Sequence, residues 1–464
     1  MPDRLSALDA SFLYLEDQTT PMHVGGISIF RRPRAGFDYD GLVALIEQRL
    51  ALVPRYRQKV VPVPGRLARP VWTDDPEFDV TYHVRRSALP KPGSDQQLHD
   101  LAARLMSRPL DHTRPLWETY LVEGLERNRI AVITKTHHAM VDGIGAVELG
   151  QVILDVSATP RPQPENLWMP QPEPSAAQLV LDAVTEVVQR PGELVENVRS
   201  AAFDAAATVQ KVVGAVGGLI SAARAAALPA PGSPLNVRIS NQRRYSVART
   251  RLEDYRAVRK VHGGTVNDVV LATVSGALRN WLLSRGEAVT SATTIRALVP
   301  LSVRDTDGDG SGSKVQAYLI DLPVGEPNPV VRLHQISHTM RGHKESGQSV
   351  AADTLVRVGG IAPPTLHALG ARVASSFSQR IFNVVVTNVP GPQVPLYAVG
   401  ARMTEMFPIV PLAKNQALSI GVTSYDGGVY FGLNADRDAM SDVDVVAGLV
   451  QESLEELVGT VAPQ

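Results

Sequence analysis

Cysteine is absent from all 464 residues. Disulfides, thiolate metal sites and cysteine nucleophiles are excluded by that fact alone. An excess of either charge is also missing. Lys and Arg number 46 against 47 Asp and Glu, a net charge of -1 with His neutral. So balanced a chain carries no general electrostatic attraction for nucleic acid. No run of about 18 uninterrupted apolar residues occurs, so no membrane-crossing helix is expected. The opening Met-Pro-Asp-Arg-Leu-Ser-Ala-Leu-Asp is charged and lacks an apolar signal core, and secretion by that route is not expected. No serine sits in a recognisable nucleophile elbow, so no covalent intermediate on a side chain is expected either.

What remains is a chain with 44% hydrophobic residues, enough for a packed globular protein. Its length exceeds one ordinary core, which points to two domains or two pseudo-repeats. Composition draws the boundaries. Residues 1–158 read as mixed α/β, with strands expected at 24–30, 117–122 and 130–136 and helices at 42–52 and 98–106. Pro160, Pro162, Pro164, Pro170, Pro172 and Pro174 then open a crossover linker over 159–235, Ala- and Val-rich from 175 to 228. Residues 236–464 resume α/β alternation. Helices are expected at 267–283 and 443–458, strands at 315–322 and 382–387, and a hairpin across Tyr425-Asp426-Gly427.

The most informative stretch is Thr134-Lys135-Thr136-His137-His138-Ala139-Met140-Val141-Asp142-Gly143. A histidine pair follows a β-branched run, and an Asp-Gly follows four residues on. A helical pattern then opens through Val147, Leu149, Val152, Ile153 and Val156. An imidazole at a strand end suits a general base, because its ordinary pKa lies near neutrality. If both histidines are extended they point to opposite faces, so one alone addresses a given channel. Two packed histidines are the plain structural alternative. Asp142 can equally cap the following helix. A His-His-Asp metal site lacks a clear third ligand, and no metal is assigned.

Other fragments carry less chemistry. Asp305-Thr306-Asp307-Gly308-Asp309-Gly310 imitates a calcium loop, but the twelfth position is Gln316 rather than a bidentate Glu. It reads as a polar loop. Asn267-Asp268 can cap a buried helix. Asn388-Val389-Pro390-Gly391-Pro392 reads as a rigid turn that stops a strand. The 175–228 stretch has mixed charges and reads as a connection packed on the domains rather than a lipid-binding helix pair.

Taken in order, several blocks resemble the bacterial wax ester synthase/acyl-CoA:diacylglycerol acyltransferase family. They are Leu5 to Leu13, Pro21-Met22-His23-Val24-Gly25, Pro109-Leu110-Asp111, Arg114-Pro115-Leu116-Trp117-Glu118, the block from His137 to Gly143, Asn267-Asp268, Pro300 to Arg304, Asn388 to Pro392 and Asp436 to Asp442. His112 stands where the family commonly has Arg, and Gly312-Ser313 replaces a common Gly-Asn. The resemblance implies two chloramphenicol-acetyltransferase-like α/β halves, each with mixed sheets, and a channel between them. It implies an O-acyltransferase using long-chain acyl-CoA as substrate, with no cofactor. His138 would be the general base. His137, Asp142 and Gly143 would complete its motif. Asn267, Asp268, Pro115, Leu116 and Trp117 would bind substrate or support the fold. Diacylglycerol is the expected acceptor. A long-chain alcohol acceptor, a condensation-type amide synthase and a non-catalytic lipid-binding protein are the alternatives. The expected location is cytoplasmic, with peripheral contact to the inner membrane face or a lipid droplet.

Overall fold

A computed structural model describes residues 3–33, 37–141, 149–161, 168–189, 230–303, 314–345 and 381–461. Asp142, Gly143, the Asp-rich run 305–310 and residues 190–228 of the Ala- and Val-rich stretch lie outside the described residues.

Two six-stranded mixed sheets form the frame. The first runs Tyr397–Ala398, Ala401–Ile409, His23–Arg31, Arg129–His137, Trp117–Leu125, Val84–Ala88. The second runs Lys314–Leu322, Ile295–Val303, Val384–Pro390, Leu418–Tyr425, Gly428–Asp436, Arg243–Arg251. A small sheet of Asp3–Arg4, Val71–Asp74 and Gln58–Val61 stands apart from both.

The central strands are rich in β-branched residues because both faces are covered. On Arg129–His137, Ile130 and Val132 join one buried cluster, while Ala131 and Ile133 join another. The second cluster holds the inner face of the Asp95–Met106 helix and takes in Tyr245, Phe407 and Ile409 from later in the chain. A third and largest core surrounds Val266–Ser284, whose apolar residues meet those of Pro329–Glu345 and Val443–Gly459. Thr265 and Asp268 form a reciprocal capping box that starts the 266–284 helix, so Asp268 is an internal cap.

Three sequence expectations change in detail. First, the strand expected to stop before Asn388 runs on to Pro390. Val385 pairs with strands on both sides, whereas Pro390 pairs only with Ser424. A proline missing its N–H is tolerated where one side of the strand is unpaired. Second, the helical pattern after the histidine motif gives a described helix only over Leu149–Val152. The backbone of Asp155 instead exchanges hydrogen bonds with Tyr397 at 2.8 and 2.7 Å, and its carboxylate is gripped by the buried Arg49 at 2.9 and 3.0 Å. That double tether draws the chain off the helix, and Val156 is exposed. Third, Ala401–Ile409 lies beyond the linker in sequence, yet it pairs with His23–Arg31 in the first sheet. A boundary at 235 therefore divides the chain but not the sheets.

Candidate active site

The histidine strand ends by its own side-chain chemistry. His137 keeps extended backbone angles, and its Nδ1 accepts the Ala139 N–H at 3.1 Å. That bond caps a single 3-10 turn, His138–Met140. The two histidines are thus not both extended: His137 closes the strand and His138 opens the turn. Because Nδ1 accepts, the ring proton of neutral His137 sits on Nε2. That nitrogen faces Glu16 Oε2 at 3.5 Å. Burial lowers the His137 pKa, which keeps the ring neutral.

Neighbouring strands hold the pair. The His137 N–H donates to Leu116 O at 2.9 Å, and the His138 N–H donates to Met22 O at 2.8 Å. Trp117 pairs in register with Thr136. Its indole N–H donates to Tyr56 O at 2.7 Å, and its ring stacks on His83 with centroids 4.6 Å apart. The Pro115-Leu116-Trp117 block is therefore a wall beside the histidine strand. Thr119, Thr134, Thr136, Val24, Gly25 and Val141 line a cavity of about 50 Å³, too small for an acyl chain.

Antiparallel register sets His23 opposite His137. Both are buried, and their ring centroids are 6.2 Å apart. Burial drives the His23 pKa down to about 4. The Ala7–Leu15 helix lies over this corner. Its Phe12 ring stacks on His138 with centroids 4.1 Å apart and an interplanar angle of 22°. One turn further on, Glu16 ends the helix among three histidines. Its carboxylate lies 2.8 Å from His112 Nε2, 3.4 Å from His23 Nε2 and 3.5 Å from His137 Nε2. Burial by itself would raise the Glu16 pKa. Hydrogen bonds from the histidines outweigh it and hold the carboxyl well below the usual carboxylate range. Beneath them, buried Lys135 donates to Arg108 O at 2.6 Å and faces Glu118 at 3.5 Å, and burial brings its pKa to about 8.

Of the residues expected from the sequence, His137, His138, Leu116 and Trp117 are thus drawn together. Asn267 stands at the start of the 266–284 helix in the second half and accepts a hydrogen bond from Asn388 Nδ2 at 3.0 Å. Glu16, Phe12 and His23 were not read as site residues. The Pro-Met-His block is visible in the sequence, but its meaning depends on a strand register.

The whole chain shares its fold with the solved wax ester synthase/diacylglycerol acyltransferase of Marinobacter aquaeolei VT8. The identity is 28%, the TM-score is 0.69, and 99% of each chain is covered. That fold, with a histidine pair at a strand end, places the protein among mixed α/β acyltransferases. Residues 5–270 match the wax ester synthase/diacylglycerol acyltransferase catalytic domain and residues 311–458 the matching C-terminal domain, so the chain belongs to that family and is an acyltransferase. Two relatives come from Mycobacterium tuberculosis H37Rv. The probable diacylglycerol O-acyltransferase tgs3 is 52% identical over 260 residues, 56% of this chain and 96% of the relative. The probable diacylglycerol O-acyltransferase tgs1 is 34% identical over 459 residues, 98% of this chain and 96% of the relative.

Proposed function

We propose that this chain moves a long-chain acyl group from acyl-CoA to the free hydroxyl of diacylglycerol, forming triacylglycerol, with His138 as general base. The names of the two mycobacterial relatives support the acceptor. One contrast supports the base. His137 is wholly buried, with Nδ1 bonded and Nε2 facing Glu16, whereas His138 is only half-buried at the head of the turn. His138 takes the acceptor's hydroxyl proton as that oxygen attacks the thioester carbonyl. The C–O bond forms, the tetrahedral intermediate collapses, the C–S bond breaks, and the proton passes to the CoA thiolate. Asp142 and Gly143 complete the histidine motif in the sequence, and no chemical step is assigned to them. Asn267 is the candidate donor to the oxyanion. Its Oδ1 is taken by Asn388, and its Nδ2 is buried without a hydrogen bond among the described residues. No cofactor is invoked; acyl-CoA enters as substrate.

The acceptor is poorly soluble, so the reaction belongs at a lipid surface. No helix among the described residues is long and apolar enough to cross a membrane. The Ala176–Gln189 helix turns Leu179 and Ala183 inward and leaves Leu181 and Val184 exposed, which suits peripheral contact.

The test is one acyl-CoA donor offered to diacylglycerol, a long-chain alcohol and a long-chain amine, with products weighed by mass spectrometry and free CoA measured. Triacylglycerol should dominate. A larger yield of wax ester would move the acceptor to alcohols. Amide as main product, or no CoA release with any acceptor, would overturn the reading.

A further inference from the structure

The chemistry proposed above leaves Glu16, His23 and His112 without a part, although they form a titratable cluster against the histidine turn. Glu16 touches three of the groups that hold His138. Its carboxylate accepts the Met22 N–H at 3.3 Å, and Met22 O in turn accepts the His138 N–H at 2.8 Å. Its backbone N–H donates to Phe12 O at 3.1 Å, closing the helix whose Phe12 ring lies on the His138 ring. Its Oε2 faces Nε2 of His137, the residue that caps the turn. Backbone, ring and cap are thus all referred to one carboxylate.

We propose that Glu16 is the positioning residue for His138, and that His112 is the solvent-facing cation that holds Glu16 in place. The inference rests on His138 being the base. Among the described residues, the charged and titratable groups around Glu16 include His23, His137, His112 and, further off, Lys135; Asp111 stands beside His112. His23 and His137 are buried, and burial keeps them neutral. His112 is 48% exposed and lies at 2.8 Å from the carboxylate, so bulk pH reaches the cluster through it. The bond to Glu16 raises the His112 pKa above its ordinary value. Below that raised value His112 is charged and balances Glu16. As pH rises through it, the partly buried carboxylate loses its nearest positive charge and the turn loosens. Turnover falls on the alkaline side for that reason.

The experiment uses the full chain with palmitoyl-CoA and a diacylglycerol. Initial rates are measured across the neutral and alkaline range, with melting curves, for wild type, Glu16→Gln, His112→Arg, His112→Gln and His138→Ala. Glu16→Gln should remain folded and lose kcat by roughly tenfold to a hundredfold, with KM for acyl-CoA unchanged. His112→Arg keeps the positive charge, so its rate should persist and its alkaline fall should disappear. His112→Gln should be slow at neutral pH as well. Unchanged kcat in Glu16→Gln, or the wild-type alkaline fall surviving in His112→Arg, would overturn the proposal. If Glu16→Gln fails to fold, the two His112 variants decide. Full activity in His138→Ala instead removes the base assignment itself, a separate result from a normal Glu16→Gln beside a dead His138→Ala.

Discussion

His137 and His138 are adjacent in sequence and opposite in circumstance. His137 has no exposed surface and spends its ring on the turn and on Glu16. His138 is half-buried and packed under Phe12. Replacing His138 with Ala should remove base assistance, a loss of roughly 10²–10⁴-fold in turnover, with little change in melting. Replacing His137 with Ala removes the cap and leaves a buried void, so stability should fall first, with residual activity in the folded fraction. Melting curves beside initial rates separate the two. A folded His138→Ala at near-normal rate, with a folded but dead His137→Ala, would reverse the assignment. The histidine pair was legible because strand pattern and motif are local. The partners were not. Glu16 and His112 are 96 residues apart in number and meet only when the Ala7–Leu15 helix crosses the strand end.

At the scale of elements, the histidine corner depends on how closely two strands approach. A Cβ built on Gly25 would stand 2.1 Å from the backbone oxygen of Thr134. Backbone in a central strand cannot yield as a flexible side chain does. Gly25→Ala should therefore destabilise by roughly 1–3 kcal/mol in denaturant unfolding and lower activity, since the same strand starts at His23. Gly448, within the Val443–Gly459 helix, has nothing within 4 Å of its added Cβ. Gly448→Ala should be stabilising by about 0.5–1 kcal/mol. Equal effects at the two sites would refute this account of Gly25. The start of the 266–284 helix was readable in part: Asn267-Asp268 was expected as its cap, and Asp268 does close the capping box, but the N-cap is Thr265. The strand Ala401–Ile409 was missed. Its partner lies nearly the whole chain away, and a bulge between Met403 and Glu405 breaks its alternation.

The molecule as a whole is stitched across its two sheets, and one consequence is sensitivity to acid. Tyr245 of the second sheet donates to Pro408 O at 2.9 Å, and Arg249 joins Asp95 of the first half to Glu405 of the crossing strand at 2.8 and 2.9 Å. His99 is buried at this seam, its ring 6.0 Å from that of Tyr245, and burial lowers its pKa from 6.5 to about 4, as it does for His23. A histidine whose folded value is depressed binds its proton more weakly folded than unfolded. Its contribution is complete above the unfolded value of 6.5 and is lost as pH falls through about 4. Each of the two is worth about 3 kcal/mol over that interval. Below it, the depressed Glu16 pKa acts with the same sign, because protonating the carboxylate removes its bonds to the histidines. Melting temperature should decline steadily between pH 6.5 and 4, and His99→Gln should flatten the decline. A wild-type melting temperature constant across that window would refute the account.

The sequence by itself determined the absence of cysteine chemistry, the alternation that makes a mixed α/β chain, the histidine pair at a strand end and the ordered motifs of the acyltransferase family. All of these are written in residue identity and short spacing. Tertiary structure decided the rest: that residues 401–409 complete the first sheet, that His23 stands opposite His137, and that Glu16 gathers three histidines beneath the turn. The physical reason is the same in each case. Register and helix docking are set by burial summed over many distant residues, and no local pattern records which of those residues will face one another.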